Sequence, residues 1–136
     1  MNIEPETSTV KNPPEQFAGD VWLTRVVAPH EAGQRTTIGL VRFAPGARTA
    51  WHSHARGQYL HIVSGTALVG GRDGTVLEAH AGQTVYTPPG EEHWHGGTAT
   101  NLMCHIAMLE GTADGDGTTW LEPVTDEQYE TADRQR

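Results

Sequence analysis

Turn-forming residues divide this chain into short segments, and this division limits the folds open to it. The sequence has 16 glycines and 8 prolines in 136 residues, whereas average usage would give about 16 of the two together. Apolar runs of strand length lie between these turns, as in a β-sandwich or small β-barrel of one domain. We therefore predict an all-β domain with strands at Val21 to Ala28, Thr36 to Phe43, Thr49 to His54, Gln58 to Val63, Thr66 to Val69, Thr75 to Glu78, Thr84 to Thr87, His93 to Gly96 and Leu102 to Glu110.

The two ends of the chain depart from this pattern. Residues 1–20 are polar and proline-containing, which predicts an extended arm outside the central core. Residues 21–110 are expected to form the sandwich or barrel, and residues 111–136 a loop and a helix that pack on it. Thr125 followed by Gln128 is a capping-box pattern and predicts a short helix near Thr125 to Ala132, after a flexible loop at Gly111 to Thr119.

The charge of the chain excludes some classes of partner. Nine lysines and arginines against 17 acidic residues give a net charge of -8, which disfavours nucleic acid and anionic membranes. The chain has one cysteine, Cys104, and no apolar run of signal-peptide or membrane-span length. We expect a soluble cytoplasmic protein.

Histidine is the informative residue type, because its eight copies nearly equal the basic residues. His52 and His54 are two apart on a predicted strand, so both point to one face, and His93 and His95 repeat this spacing. A single histidine is usually structural, but two such pairs favour a metal site. By contrast, His61 has the opposite parity to Gln58 and is expected to face away. His30 and His80 lie beside turns and are expected to be solvent-exposed.

With these pairs in place the sequence resembles the cupin superfamily. The two motifs of that family are matched in order and spacing, with Gln58 where glutamate is usual and Gly97 where asparagine is usual. The matching residues are Gly46, His52, His54, Gln58 and Gly65 in the first motif and Gly82, Pro88, Gly90 and His93 in the second.

The resemblance implies a cupin double-stranded β-helix barrel of the jelly-roll type with one divalent transition metal. It implies His52, His54, Gln58 and His93 as the ligands, and manganese as the expected ion, with iron, zinc, nickel and cobalt as alternatives. A neutral Gln58 leaves more positive charge at the metal than glutamate would, which favours polarising a substrate over redox cycling. The alternative is that Gln58 is not a ligand and only forms hydrogen bonds near an unoccupied or histidine-only site.

Three segments are similar to the small manganese-dependent cupins that include bacterial hydroxynitrile lyases: Pro45 to His54, Pro89 to Gly96 and Val124 to Tyr129. This resemblance implies a metal-dependent lyase that cleaves or forms the C–C bond of a cyanohydrin. Two alternatives stay open, a dioxygenase acting on a small aromatic or diketone substrate and a non-catalytic metal- or small-molecule-binding protein.

Two further histidines are candidates for proton transfer. His95 shares a face with His93, so it should point into the barrel, where a neutral imidazole could take a proton from a substrate hydroxyl. His105, in the last long strand, could be its partner acid or base. The alternatives are that His95 orients a ligand or bound water and that His105 packs in the core.

Other residues predict the surroundings of the site. Trp51 and Trp94 have the opposite parity to the ligands and are expected outside the barrel wall, under a neighbouring sheet or subunit. Together with the arm, they favour a homodimer or higher homo-oligomer, and the alternative that gives the same sequence pattern is a monomer with an apolar sandwich interior. The apolar lining of a pocket for a small-molecule substrate is expected from among Val41, Phe43, Leu60, Ile62 and Leu109.

Overall fold

Twelve antiparallel strands and one helix make up the fold, in a computed structural model that describes all of residues 1–136. This confirms the predicted all-β class with a C-terminal helix. The elements are β1 (Val10–Lys11), β2 (Phe17–Ala18), β3 (Val21–Val27), β4 (Thr36–Phe43), β5 (Arg48–Thr49), β6 (His52–His54), β7 (Gln58–Gly71), β8 (Val76–His80), β9 (Thr84–Thr87), β10 (His93–Gly97), β11 (Met103–Glu110), β12 (Thr118–Trp120) and α1 (Asp126–Gln135).

The long strand β7 joins the two halves of the curled sheet. Its first half pairs with β9 and β11, and its second half pairs with β8 and β10. The sequence predicts two strands separated near Gly65, but the strand continues through this position, because Thr66 N–H still donates to the carbonyl of Leu102 at 3.2 Å. Gly65 has a φ of 76° and approaches Leu102 so closely that a Cβ would lie 1.9 Å from that carbonyl oxygen.

Segments from both ends of the chain complete the sheet. The predicted strand Thr49 to His54 is split into β5 and β6, because the N–H groups of Ala50 and Trp51 donate to Gln16 and Glu122 instead of to a neighbouring strand. The arm supplies β1, which pairs with β3, and β2, which pairs with β5. Strand β12 lies partly in the expected loop and pairs with β6. The strand that carries His52 therefore has the C-terminal segment as its neighbour.

Alternate residues of the central strands form an interior core. Leu60 and Ile62 of β7 are fully buried, and they pack with Phe43 of β4 and Met103 of β11. Burying such large apolar side chains is the main favourable term in folding. Gln58 lies on the same face of β7, so its polar side chain is next to this apolar core inside the barrel.

Helix α1 covers a second apolar cluster on the outside of the barrel. The predicted capping box is confirmed: Gln128 N–H donates to Thr125 Oγ1 at 3.1 Å, and Thr125 N–H donates to Gln128 Oε1 at 2.9 Å. The helix buries Tyr129 against the outward face that carries Trp51 and Trp94. The parity prediction for the tryptophans is confirmed, but the helix of their own chain covers them. The structure contains no helix long and apolar enough to span a membrane.

Candidate metal centre

Two neighbouring strands bring the histidine pairs together. Strands β6 and β10 are antiparallel, and His52 is the register partner of His93. Their ring centroids are 4.3 Å apart, and the His52 ring lies 5.0 Å from that of His54 and 5.1 Å from that of His95. All four side chains are buried. The two-residue spacings therefore place four imidazoles at one point inside the barrel.

Backbone carbonyls orient two of these rings. His52 donates its Nδ1–H to the carbonyl of Ala50 at 2.9 Å, and His93 donates its Nδ1–H to the carbonyl of Glu91 at 3.1 Å. A neutral ring that carries its proton on Nδ1 has a free lone pair on Nε2, the form in which histidine binds metals. One ring nitrogen each of His52, His93 and His95 lie within 4.8 Å of one another.

His54 and Gln58 lie at the same point. Nδ1 of His54 is 3.0 Å from the hydroxyl of Thr118 on β12, while its Nε2 is buried with no hydrogen-bond partner. Gln58 Oε1 is 3.3 Å from Nε2 of His93. An amide oxygen and a buried unpartnered nitrogen beside the three-histidine group are further donors of the kind that divalent transition metals accept.

His95 and His105 form a hydrogen-bonded pair behind this group. Nε2 of His105 is 3.1 Å from Nδ1 of His95, and both side chains are buried against the ring of Phe43. The outer nitrogens of the pair, Nε2 of His95 and Nδ1 of His105, have no protein partner. His105 is thus linked to His52 and His93 through its hydrogen bond with His95.

Burial keeps the cluster uncharged. It lowers the pKa of His54 and that of His105 to about 4. Desolvation also lowers the pKa of His52, His93 and His95, and for His52 and His95 the charge of neighbouring imidazoles adds to this effect. The rings are therefore neutral at pH 7, as a metal ligand or a general base must be.

An arginine on the outside of the barrel wall connects the strands that carry the two histidine pairs. The Arg72 guanidinium donates to Glu92 at 2.8 Å and to Glu122 at 2.5 Å, and it lies 4.0 Å from the ring centroid of Trp51. Trp51 directly precedes His52, and Glu92 directly precedes His93. One side chain thus ties together the chain positions before both histidine pairs, a contact that sequence patterns did not reveal.

Four of the imidazoles, those of His52, His54, His95 and His105, line a cavity of about 110 Å³ together with Gln58, whereas His93 is not among its lining residues. Val41 and Leu109 line it, as predicted, whereas Phe43, Leu60 and Ile62 are buried in the core beneath it. The sequence did not predict that Phe17 and Trp120 also line it, because Phe17 lies in the arm and Trp120 just beyond the expected loop. The ring centroid of Trp120 is 4.8 Å from that of His52.

The remaining histidines lie outside the site, as the sequence predicted. His61 is exposed, with its Nδ1 2.9 Å from the hydroxyl of Thr84. His30 is 2.9 Å from Glu4, and His80 is 3.2 Å from Glu78, both on the surface. The histidine excess thus separates into five buried rings and three exposed ones.

Sequence and structural comparisons agree on the family. The cupin domain family matches residues 39–109. The chain is 42% identical over 120 residues to an (R)-mandelonitrile lyase from Granulicella tundricola, covering 88% of this chain and 89% of that protein.

Solved structures give the same fold. A cupin-like protein from Thermotoga maritima superposes with a TM-score of 0.87 at 31% identity, covering 100% of both chains. The polyketide cyclase RemF from Streptomyces resistomycificus superposes with a TM-score of 0.72 at 15% identity, covering 96% of this chain and 91% of its own. The second likeness extends to the fold alone. With motifs, barrel and buried histidine cluster in agreement, the chain belongs to the cupin family.

Proposed function

We propose that this protein is a manganese-dependent hydroxynitrile lyase, which cleaves a cyanohydrin into an aldehyde and hydrogen cyanide or forms it in reverse. The observation that carries the proposal is the cluster of neutral, buried histidines at a small cavity, in a chain 42% identical to an (R)-mandelonitrile lyase. That cavity suits the reacting end of a small molecule such as an aromatic cyanohydrin.

His52, His54, Gln58 and His93 would hold the metal. The fit rests on the free Nε2 of His52 and of His93, the unpartnered Nε2 of His54 and the nearby amide oxygen of Gln58. A bound divalent ion would supply Lewis-acid polarisation of the substrate oxygen. Because all four side chains are neutral, they leave the charge of such an ion undiminished.

His95 and His105 would move the proton. With its proton on Nδ1, donated to Nε2 of His105, His95 has a free lone pair on Nε2 that can accept the cyanohydrin hydroxyl proton. The O–H electrons then form the C=O bond, the C–C bond breaks, and its electron pair leaves with cyanide. The proton on His95 Nε2 passes to cyanide, which restores the neutral ring and gives hydrogen cyanide. A lowered pKa of His95 favours this return of the proton.

The test is release of cyanide and benzaldehyde from mandelonitrile. We expect equimolar release by protein loaded with manganese, and loss of release after chelation, with recovery when manganese is added back. Replacing His95 by glutamine should lower kcat by about 100-fold or more, in the range that general base catalysis supplies. His61→Gln, the same change on the exposed face, is the matched control and should retain full activity.

Two results would contradict the lyase proposal. One is cyanide release by the manganese-loaded protein no greater than that of the metal-free protein. The other is oxygen uptake with a catechol or diketone without cyanide release from mandelonitrile, which would support the dioxygenase alternative.

We also propose that the protein is a homodimer. Three large apolar side chains form a row on the outer face of the sheet. They are Tyr59 of β7, which is 52% exposed, and its two register partners, Tyr86 on β9 at 51% and Met108 on β11 at 42%. A contiguous exposed apolar row of this kind is typical of a contact surface. Size-exclusion chromatography should show a species of about 30 kDa, twice the 14.8 kDa chain. Tyr59→Glu should dissociate it, whereas Leu77→Glu, outside the row, should not; a native species of 15 kDa alone would exclude the dimer.

A further inference from the structure

A second cavity, of about 420 Å³, adjoins the 110 Å³ cavity that the histidines line, which we call the metal cavity. We call the second cavity the vestibule; the polar residues that line it are Arg25, Gln34, Arg35, Thr37, Thr112 and Asp116. Three of these, Arg25, Thr37 and Asp116, also line the metal cavity. A ligand that reaches the histidines through this opening therefore has its outer end among vestibule side chains.

The vestibule contains arginines that have no acidic partner. Of nine lysines and arginines in the chain, only three form no ion pair within 4.0 Å: Arg25, Arg35 and Arg42. Two of these three line the vestibule. The six paired residues are Lys11, Arg48, Arg56, Arg72, Arg134 and Arg136.

This arrangement is unexpected for a chain with 17 acidic residues and a net charge of -8. Acidic side chains are plentiful, yet two cations beside the candidate active site are left unpaired. Asp116 is the acidic residue among the lining residues, and its carboxylate accepts the N–H of Thr118 at 2.9 Å and pairs with neither arginine. Unpaired cations at the rim of a cavity attract anions against the repulsion of an acidic protein.

The position of Arg25 directs it toward the metal cavity. It lies on the same face of β3 as Val21, which is buried in the interior core, and Leu23, which lines the cavity. Its register partner on β4 is Gly39, another residue of the cavity wall. Arg25 is therefore at the junction of the cavity and the vestibule.

We propose that the vestibule binds a carboxylate at the far end of the substrate, through Arg25 with Arg35 beside it. The guanidinium group binds carboxylates by paired hydrogen bonds. The substrate class is then a small hydroxynitrile with a carboxylate opposite its reacting carbon. This assignment rests on the proposed lyase function for the chemistry, but not for the binding of the anion.

The kinetic test compares mandelonitrile with 4-carboxymandelonitrile in manganese-loaded protein. We expect the native protein to prefer the carboxylated substrate in kcat/KM, and Arg25→Gln to reduce that preference about tenfold, as loss of one charged hydrogen bond does. Arg42→Gln is the matched control, since it removes the same charge from an unpaired arginine that faces out of β4. It should leave the preference unchanged. An equal reduction by both variants would overturn the assignment.

A binding test separates this assignment from the lyase function. The probes are 4-(hydroxymethyl)benzoate and the neutral benzyl alcohol, measured by calorimetry on metal-free protein so that no metal can bind the carboxylate. Tighter binding of the benzoate, weakened about tenfold by Arg25→Gln and not by Arg42→Gln, would support the vestibule even if no cyanohydrin is cleaved. Equal affinity for the two probes would overturn it, whatever the lyase assay shows.

Discussion

Replacing His52 by alanine is expected to lower the affinity for a divalent transition metal by more than about 100-fold, since loss of a group that merely supports a ligand already costs 10–100-fold. His52 is at the centre of the cluster, with the rings of His54, His93 and His95 all within 5.1 Å between centroids. Its Nδ1–H is held by the carbonyl of Ala50, so its Nε2 is pre-oriented toward them. Calorimetric titration of the metal-free protein with manganese measures this loss of affinity.

His61→Ala is the matched control for this experiment. It likewise deletes an imidazole, but from the exposed face of β7, where the ring forms a hydrogen bond with the hydroxyl of Thr84. Manganese affinity should be unchanged. If His52→Ala keeps the native affinity while remaining folded by circular dichroism, the metal is not bound at this cluster.

Two further variants distinguish between sets of ligands. The geometry groups His52 and His93 with His95, whereas the cupin motifs group His52 and His93 with His54 and Gln58. If His54 is a ligand and His95 a proton carrier, His54→Ala should weaken manganese binding and His95→Ala should lower kcat with little change in affinity. The reverse pattern would make His95 a ligand and exclude it as the base.

The features that sequence could predict are those set by short-range periodicity. The bounds of β4 and β9 match their predicted runs, and the capping box correctly marks the start of α1. Alternation along a strand also settles which face a side chain takes. For this reason the sequence correctly predicts which side of the barrel wall Trp51, Trp94 and His61 take.

The features that sequence missed depend on contacts between distant segments. Strand β12 is a strand because it pairs with β6, and nothing in Thr118 to Trp120 alone distinguishes it from the preceding loop. Pairing of this kind, together with packing of the arm, brings Trp120 and Phe17 to the cavity. The bridge between Arg72, Glu92 and Glu122 likewise joins residues up to 50 positions apart. Periodicity within a segment carries no information on such contacts.

The metal-free protein should lose stability as the pH falls from 7.5 to 5. The folded pKa of His105 is about 4 against an ordinary value of 6.5, because burial disfavours its charged form. Between these values the unfolded chain binds a proton that the folded protein does not, so lower pH favours unfolding. One such histidine lowers the free energy of unfolding by about 2 kcal/mol between pH 7.5 and 5. His54, lowered to a similar value, acts in the same direction.

Urea unfolding at several pH values between 7.5 and 5 measures this dependence. The carboxylates with lowered pKa values, Glu4, Asp73 and Glu122, are exposed and titrate mainly below this window. Glu4 raises the pKa of His30, which opposes the trend, but that pair is on the surface and its effect is small. His105→Gln should flatten the slope, whereas His61→Gln should preserve it. A free energy of unfolding that is constant across the window would mean that the buried imidazoles charge freely in the folded protein.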